Sequence, residues 1–128
     1  MTRTVIATPK APKAPPYYSQ AVKAAGLVFV SGTPPTDPAT GRVVGSTIQE
    51  QVAQSLRNIS ATLEAAGTSL ESAVQATVIM VHGEDFAGLN EEWVKWFPDN
   101  PPARHAAKMP INLPGMRVTI AMIAAMPG

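Results

Sequence analysis

The sequence predicts an α+β fold: a mixed β-sheet with two helices packed on one face. Three observations carry that expectation. Strand-like and helix-like segments interleave in the order β-β-β-α-β-α-β-β. Two segments carry apolar stripes at helical spacing, which a sheet face would bury. Charged residues make up 15% of the chain and hydrophobic residues 45%. So little charge leaves apolar surface on the far face of the sheet, and identical subunits are the economical cover for it. With 128 residues, the whole chain, 1–128, is expected to form a single domain around one core.

The elements follow in order. Thr4 to Ala7 is a short strand, and prolines at 9, 12, 15 and 16 then forbid a helix or a central strand. Ala21 to Ala25 and Leu27 to Val30 form a hairpin turning at Ala25-Gly26, ended by Ser31-Gly32, where glycine permits close backbone approach. Thr33 to Gly41 is a turn-rich loop. A helix starts at Ser46 or Thr47, where Thr47 and Glu50 have capping-box spacing. Ile48, Val52, Leu56, Ile59 and Leu63 form its apolar stripe, and Gly67 caps its end. Ala73 to Val81 is expected to be a central strand, apolar and buried on both faces. A second helix runs from about Asp85 to Trp96, with Phe86, Leu89, Trp93 and Phe97 as its stripe and Asn90 on the margin of that face. An amide there needs hydrogen-bond partners. Ala103 to Lys108 and Arg117 to Ala125 are the last strands, joined by a loop from Pro110 to Gly115.

Composition excludes several classes of function. The net charge is +1, and ten Lys and Arg are scattered singly from Arg3 to Arg117, so nucleic acid is a poor partner. The absence of cysteine removes disulfides, thiolate metal sites and Cys nucleophiles. No signal-peptide core or membrane-length apolar run is present, so a cytoplasmic protein with no membrane association is expected. The methionines Met80, Met109, Met116 and Met122 read most simply as core or interface filler.

The segment Pro101-Pro102-Ala103-Arg104-His105-Ala106-Ala107-Lys108 poses the functional question. A guanidinium cannot shed its proton, so a buried Arg104 requires an anionic partner. No Asp or Glu occurs after Asp99. The partner is therefore a ligand anion or a carboxylate folded in from elsewhere, the plain alternative being a solvated arginine on an edge strand.

Several blocks then occur in a telling order: Tyr18-Ser19-Gln20-Ala21-Val22, Val28-Phe29-Val30-Ser31-Gly32, Asp37-Pro38-Ala39-Thr40-Gly41, Leu63-Glu64-Ala65-Ala66-Gly67, Asp85-Phe86-Ala87 with Asn90, and Pro101-Pro102-Ala103-Arg104. Together they resemble the Rid (YjgF-like) family of reactive-intermediate deaminases, across roughly residues 5–126. The resemblance implies a chorismate-mutase-like fold and a homotrimer with ligand clefts between subunits. It implies hydrolysis of small carboxylate-bearing enamines and imines to 2-keto acids and ammonia, with no metal and no organic cofactor. Arg104 would clamp the substrate carboxylate in a two-pronged pair, and Tyr18, Ser31, Gly32 and Asn90 would line the same cleft.

The chain departs from that pattern in its last strand. The acid that the family uses to position water falls at Thr119, and a second acid falls at Ala121. Thr119 can hold a water through its hydroxyl but is no base. The residues expected to carry catalysis are Arg104, Tyr18 and Thr119, with Tyr18 and Thr119 able to orient water as neutral hydroxyls. His105 is a minority base, because strand alternation sends it to the face opposite Arg104, Ala106 and Lys108. Glu91 or Glu92 entering from a neighbouring subunit is another minority route. A non-hydrolytic small-anion-binding protein, or a pathway-specific enzyme with different chemistry, remains the alternative function.

Overall fold

The computed structural model describes residues 2–110 and 113–128. Alternating apolar residues, broken where turn residues cluster, give β1 (Thr4–Ile6), β2 (Ala21–Ala24), β3 (Leu27–Thr33), β4 (Ala73–Met80), β5 (Ala103–Lys108) and β6 (Val118–Ala125). The helices are α1 (Ile48–Ala66) and α2 (Phe86–Trp96). The strands form one sheet in the order β1-β2-β3-β6-β4-β5. All neighbours are antiparallel except β4 and β5, a parallel pair that needs a crossover, which α2 supplies. The expected mixed sheet with both helices on one side is what the chain forms.

Local chemistry sets the element ends. Ala25 and Gly26 both have positive φ, 55° and 76°, the backbone of the tight turn that matches strand twist. Thr47 is the N-cap of α1: its hydroxyl accepts from the Glu50 amide while the Glu50 side chain reaches back to the Thr47 amide. Gly67, in the left-handed region at φ 94°, ends the helix.

The core lies between α1 and one sheet face. Ile48, Val52, Leu56, Ile59 and Leu63 meet Val28, Val30, Ala76, Val78, Met80, Val118, Ile120, Met122 and Ala124, all buried. Full burial of each large aliphatic side chain contributes about 1.5–3 kcal/mol before entropy is counted. The stripe of α2 is only partly covered. Leu89, Trp93 and Phe97 are buried, but Phe86 is 46% exposed, because its ring lies beside Arg104 rather than beneath the helix.

Two sequence expectations fail here for identifiable reasons. β4 is not buried on both faces: Thr77 and Ile79 are only half-buried, because none of the described residues covers the far side of the sheet. That same open face carries the exposed Val5 and Phe29. Also, β3 does not end at Ser31-Gly32 but runs through them to Thr33. The expected loop from Pro110 to Gly115 includes Ile111 and Asn112, which lie outside the described residues.

Candidate functional site

A β-bulge builds one half of the site. Val30 pairs with Met122 and Thr33 with Ile120, so Ser31 and Gly32 together stand opposite Ala121 alone. Two residues against one bend the strand and re-aim its side chains, a device common beside active sites. The Ser31 hydroxyl donates to the Ser19 carbonyl (2.6 Å), and the Thr33 hydroxyl donates to the Ser31 carbonyl (2.8 Å). A Cβ at Gly32 would lie 3.4 Å from Thr119 Oγ1, so a larger residue there projects onto Thr119. Thr119 pairs with Ile79 on β4 and therefore lies on the open face, between the buried Val118 and Ile120. Tyr18, Ser31, Gly32 and Thr119 thus border one cleft of about 550 Å³.

Side-chain amides brace the segments around that cleft. Gln20 Nε2 donates to the Thr8, Ala11 and Pro12 carbonyls, and its Oε1 accepts from the Thr8 amide. The proline-rich segment is thereby tied to the strand that follows Tyr18. Asn58 Nδ2 donates to the Pro34 and Thr36 carbonyls. Gln51, fully buried, donates to the Gly45 and Gly115 carbonyls and accepts from the Arg117 amide at 2.7 Å. None of these roles has a local sequence signal. Polar residues within a buried helix stripe are the only hint of Gln51 and Asn58.

The other half lies on the opposite side of the sheet. Arg104 pairs with Ala76, whose side chain faces the core, so Arg104 points toward α2. Its Nη2 donates to Asn90 Oδ1 at 2.7 Å. The guanidinium carbon sits 5.1 Å from the Trp93 ring centroid and 5.6 Å from that of Phe86, within cation–π range. Partial burial lowers the Arg104 pKa from its ordinary value, the signature of a charge short of compensation. No carboxylate among the described residues pairs with it. Arg117 offers the contrast: both Asp85 oxygens take its Nη1, at 3.2 and 3.0 Å. Arg117 found its acid within the chain, whereas Arg104 has an amide oxygen, two aromatic rings and unused donors. That leaves room for a bidentate anion.

Of the six residues expected to share one cleft, four therefore meet on the open face and two, Arg104 and Asn90, meet on the helix side. His105 faces away from Arg104, with its Nε2 2.9 Å from Thr77 Oγ1 on the open face. Glu92 is taken up by Trp96 Nε1 (2.9 Å) and Lys95 (3.4 Å) on its own helix. Lys108, His82 and Glu91 are exposed. No cluster of three His, Asp or Glu that would suit a metal occurs among the described residues, and no described helix is long and apolar enough to cross a membrane.

Residues 8–126 match the family model described as endoribonuclease L-PSP. A RutC family protein of Pyrococcus abyssi is 43% identical over 109 residues, 85% of this chain and 86% of that protein. The goat (Capra hircus) protein named 2-iminobutanoate/2-iminopropanoate deaminase is 37% identical over 124 residues, 97% of this chain and 90% of that one. The crystal structure of RidA from an Antarctic Psychrobacter superposes with a TM-score of 0.89 at 37% identity, covering 96% of this chain and 99% of that one.

Proposed function

The chain belongs to the endoribonuclease L-PSP family, within which RidA falls, and from that membership we propose that it hydrolyses small carboxylate-bearing imines to 2-keto acids and ammonia. The observation that carries the reading is Arg104: a half-buried guanidinium, oriented by Asn90 and two rings, with no carboxylate partner among the described residues. The name of the goat relative, 2-iminobutanoate/2-iminopropanoate deaminase, supports the imine substrate.

The site is proposed to be complete only between two copies. Arg104 and the Thr119 cleft lie on opposite sides of one sheet, so one substrate reaches both only if they come from different chains. The uncovered apolar face bearing Val5 and Phe29 supports assembly, and we propose the homotrimer that the resemblance implies. In that site Arg104 binds the carboxylate. The hydroxyls of Thr119 and Tyr18 hold the water that attacks the imine carbon. The C–N bond then breaks, and both protons of the water leave on nitrogen as ammonia. No charged base occurs among the cleft's described residues, so the reaction depends on orientation and on the substrate's own reactivity. Neither a metal nor an organic cofactor enters this scheme. Cytoplasmic residence belongs to the same proposal, as does a role apart from nucleic acid.

Deamination of 2-iminopropionate tests the reading, the imine being generated by an amino-acid oxidase and trapped with semicarbazide. A rate above buffer in the wild type that vanishes in Arg104→Ala supports it. Equal rates in the two proteins refute it. The absence of a carboxylate among the cleft's described residues favours one second reading, a small-anion-binding protein without chemistry. That reading predicts binding of 2-oxo acids with no hydrolysis.

A further inference from the structure

The cleft beside Thr119 has two unlike sides. Its polar groups, Tyr18, Ser31 and Thr119, gather at the bulge, where Gly32 brings the backbone close. The rest is apolar: Ile79 from β4, Pro34, and Met109, Leu113 and Met116 from the segments that flank the entry to β6. No lysine, arginine, aspartate or glutamate is among its described lining residues. The apolar side is also held in place. The Met116 amide donates to the Leu113 carbonyl at 3.1 Å, and the Met109 amide to the Met80 carbonyl at 2.8 Å. The buried Gln51 grips Gly115 and Arg117 on either side of Met116. Leu113 is 42% exposed. Within one chain the cleft leaves room beside the bulge for more than the methyl or ethyl group of the smallest imino acids.

We infer that this cleft selects 2-imino acids with extended apolar side chains, aliphatic or thioether, over short and over charged ones. The inference rests on the imine-hydrolase reading above and deepens it. The imino acid head lies at the bulge with its carboxylate toward Arg104, and the side chain lies along Met109, Leu113 and Met116. Each methylene taken out of water strengthens binding, whereas a side-chain carboxylate would be desolvated there with no cation to meet it. Methionine's unbranched, polarizable chain suits a wall that accommodates several shapes. Chemistry is unchanged along the series: water oxygen bonds to the imine carbon, the C–N bond breaks, and ammonia leaves.

The test compares imines made by oxidases from alanine, leucine, methionine and glutamate. The leucine and methionine imines should exceed the alanine imine in kcat/KM by about tenfold or more, with the glutamate imine lowest. Leu113→Ala and Met116→Ala should each reduce the leucine-to-alanine ratio several-fold, and Met116→Leu should restore it. A flat series with hydrolysis intact overturns the side-chain inference and leaves the hydrolase reading standing. If no imine is hydrolysed, the hydrolase reading falls, and titration of the wild type with stable 2-oxo acids decides the side-chain claim. Tighter binding of 4-methyl-2-oxopentanoate than of pyruvate or 2-oxoglutarate supports it. Equal binding, or tighter binding of 2-oxoglutarate, overturns it.

Discussion

Asn90→Asp changes one atom and reverses the logic of the anion site. The side chain keeps its shape, and its Oδ1 already lies 2.7 Å from Arg104 Nη2. The neutral acceptor becomes a carboxylate, and Arg104 gains the partner that Arg117 has in Asp85. A substrate carboxylate on the remaining guanidinium prongs would then lie about 6 Å from the introduced charge, a repulsion of about 3 kcal/mol at an effective dielectric of about 20. Since each 1.4 kcal/mol is tenfold, binding should weaken by about 100-fold. The fold, in contrast, should hold or gain. Isothermal titration with a 2-oxo acid and a thermal melt measure the two effects on one sample. The introduced carboxylate, paired with Arg104, has its pKa depressed. Its contribution to stability is present above the unfolded carboxylate pKa and is lost as pH falls through the folded one. The binding penalty should shrink over that same acidic window, until the ligand's own carboxylate protonates. Wild-type affinity in Asn90→Asp at neutral pH would refute the assignment of Arg104 as the anion clamp.

Further outcomes follow from the same geometry. Thr119→Glu places an acid in the cleft, and a positioned acid–base group typically contributes ~10²–10⁴-fold; a gain in imine hydrolysis indicates a catalyst that lost its acid, and no gain favours the binding reading. Ser55 Oγ is fully buried with no hydrogen-bond partner among the described residues, so Ser55→Ala should raise the melting temperature by about 2–4 °C, and a drop would refute the reading of that hydroxyl as unsatisfied. Glu50, whose pKa is lowered chiefly by its bond to the Thr47 backbone, contributes stability above the unfolded carboxylate value that is lost as pH falls through its folded value. The stability gap between wild type and Glu50→Gln should therefore close in acid, and a gap constant across that range would show that the capping box contributes no charge-dependent stability.

Much of this was legible in the sequence because it is local. The stripe from Ile48 to Leu63, the Thr47–Glu50 box and the Ala25-Gly26 turn are patterns within a few residues, and each appears as expected. What failed was non-local. The bulge at Ser31-Gly32 depends on the register against β6, which no property of β3 alone reveals. Phe86 fits the helical stripe, yet its ring lies beside Arg104, a cation eighteen residues away in sequence. Alternation within β5 separated His105 from Arg104 correctly. It did not separate Arg104 from Thr119, because that requires knowing that Arg104 pairs with Ala76 and Thr119 with Ile79. The odd and even positions of β4 face opposite ways, and the candidate site divides accordingly.

A site shared between copies is the central claim, and mixed assemblies test it most directly. Arg104→Ala chains and Gly32→Leu chains, the second blocked where Gly32 faces Thr119, are co-expressed with different tags, and the hybrids isolated on both. Each parent alone should be inactive. In a cyclic trimer of either mixed composition, one interface joins an intact Arg104 to an intact cleft, so hybrids should recover about one third of the wild-type deaminase rate. Hybrids no more active than their parents, from a wild type that is active, would mean that both halves of the site act within one chain, contradicting the account.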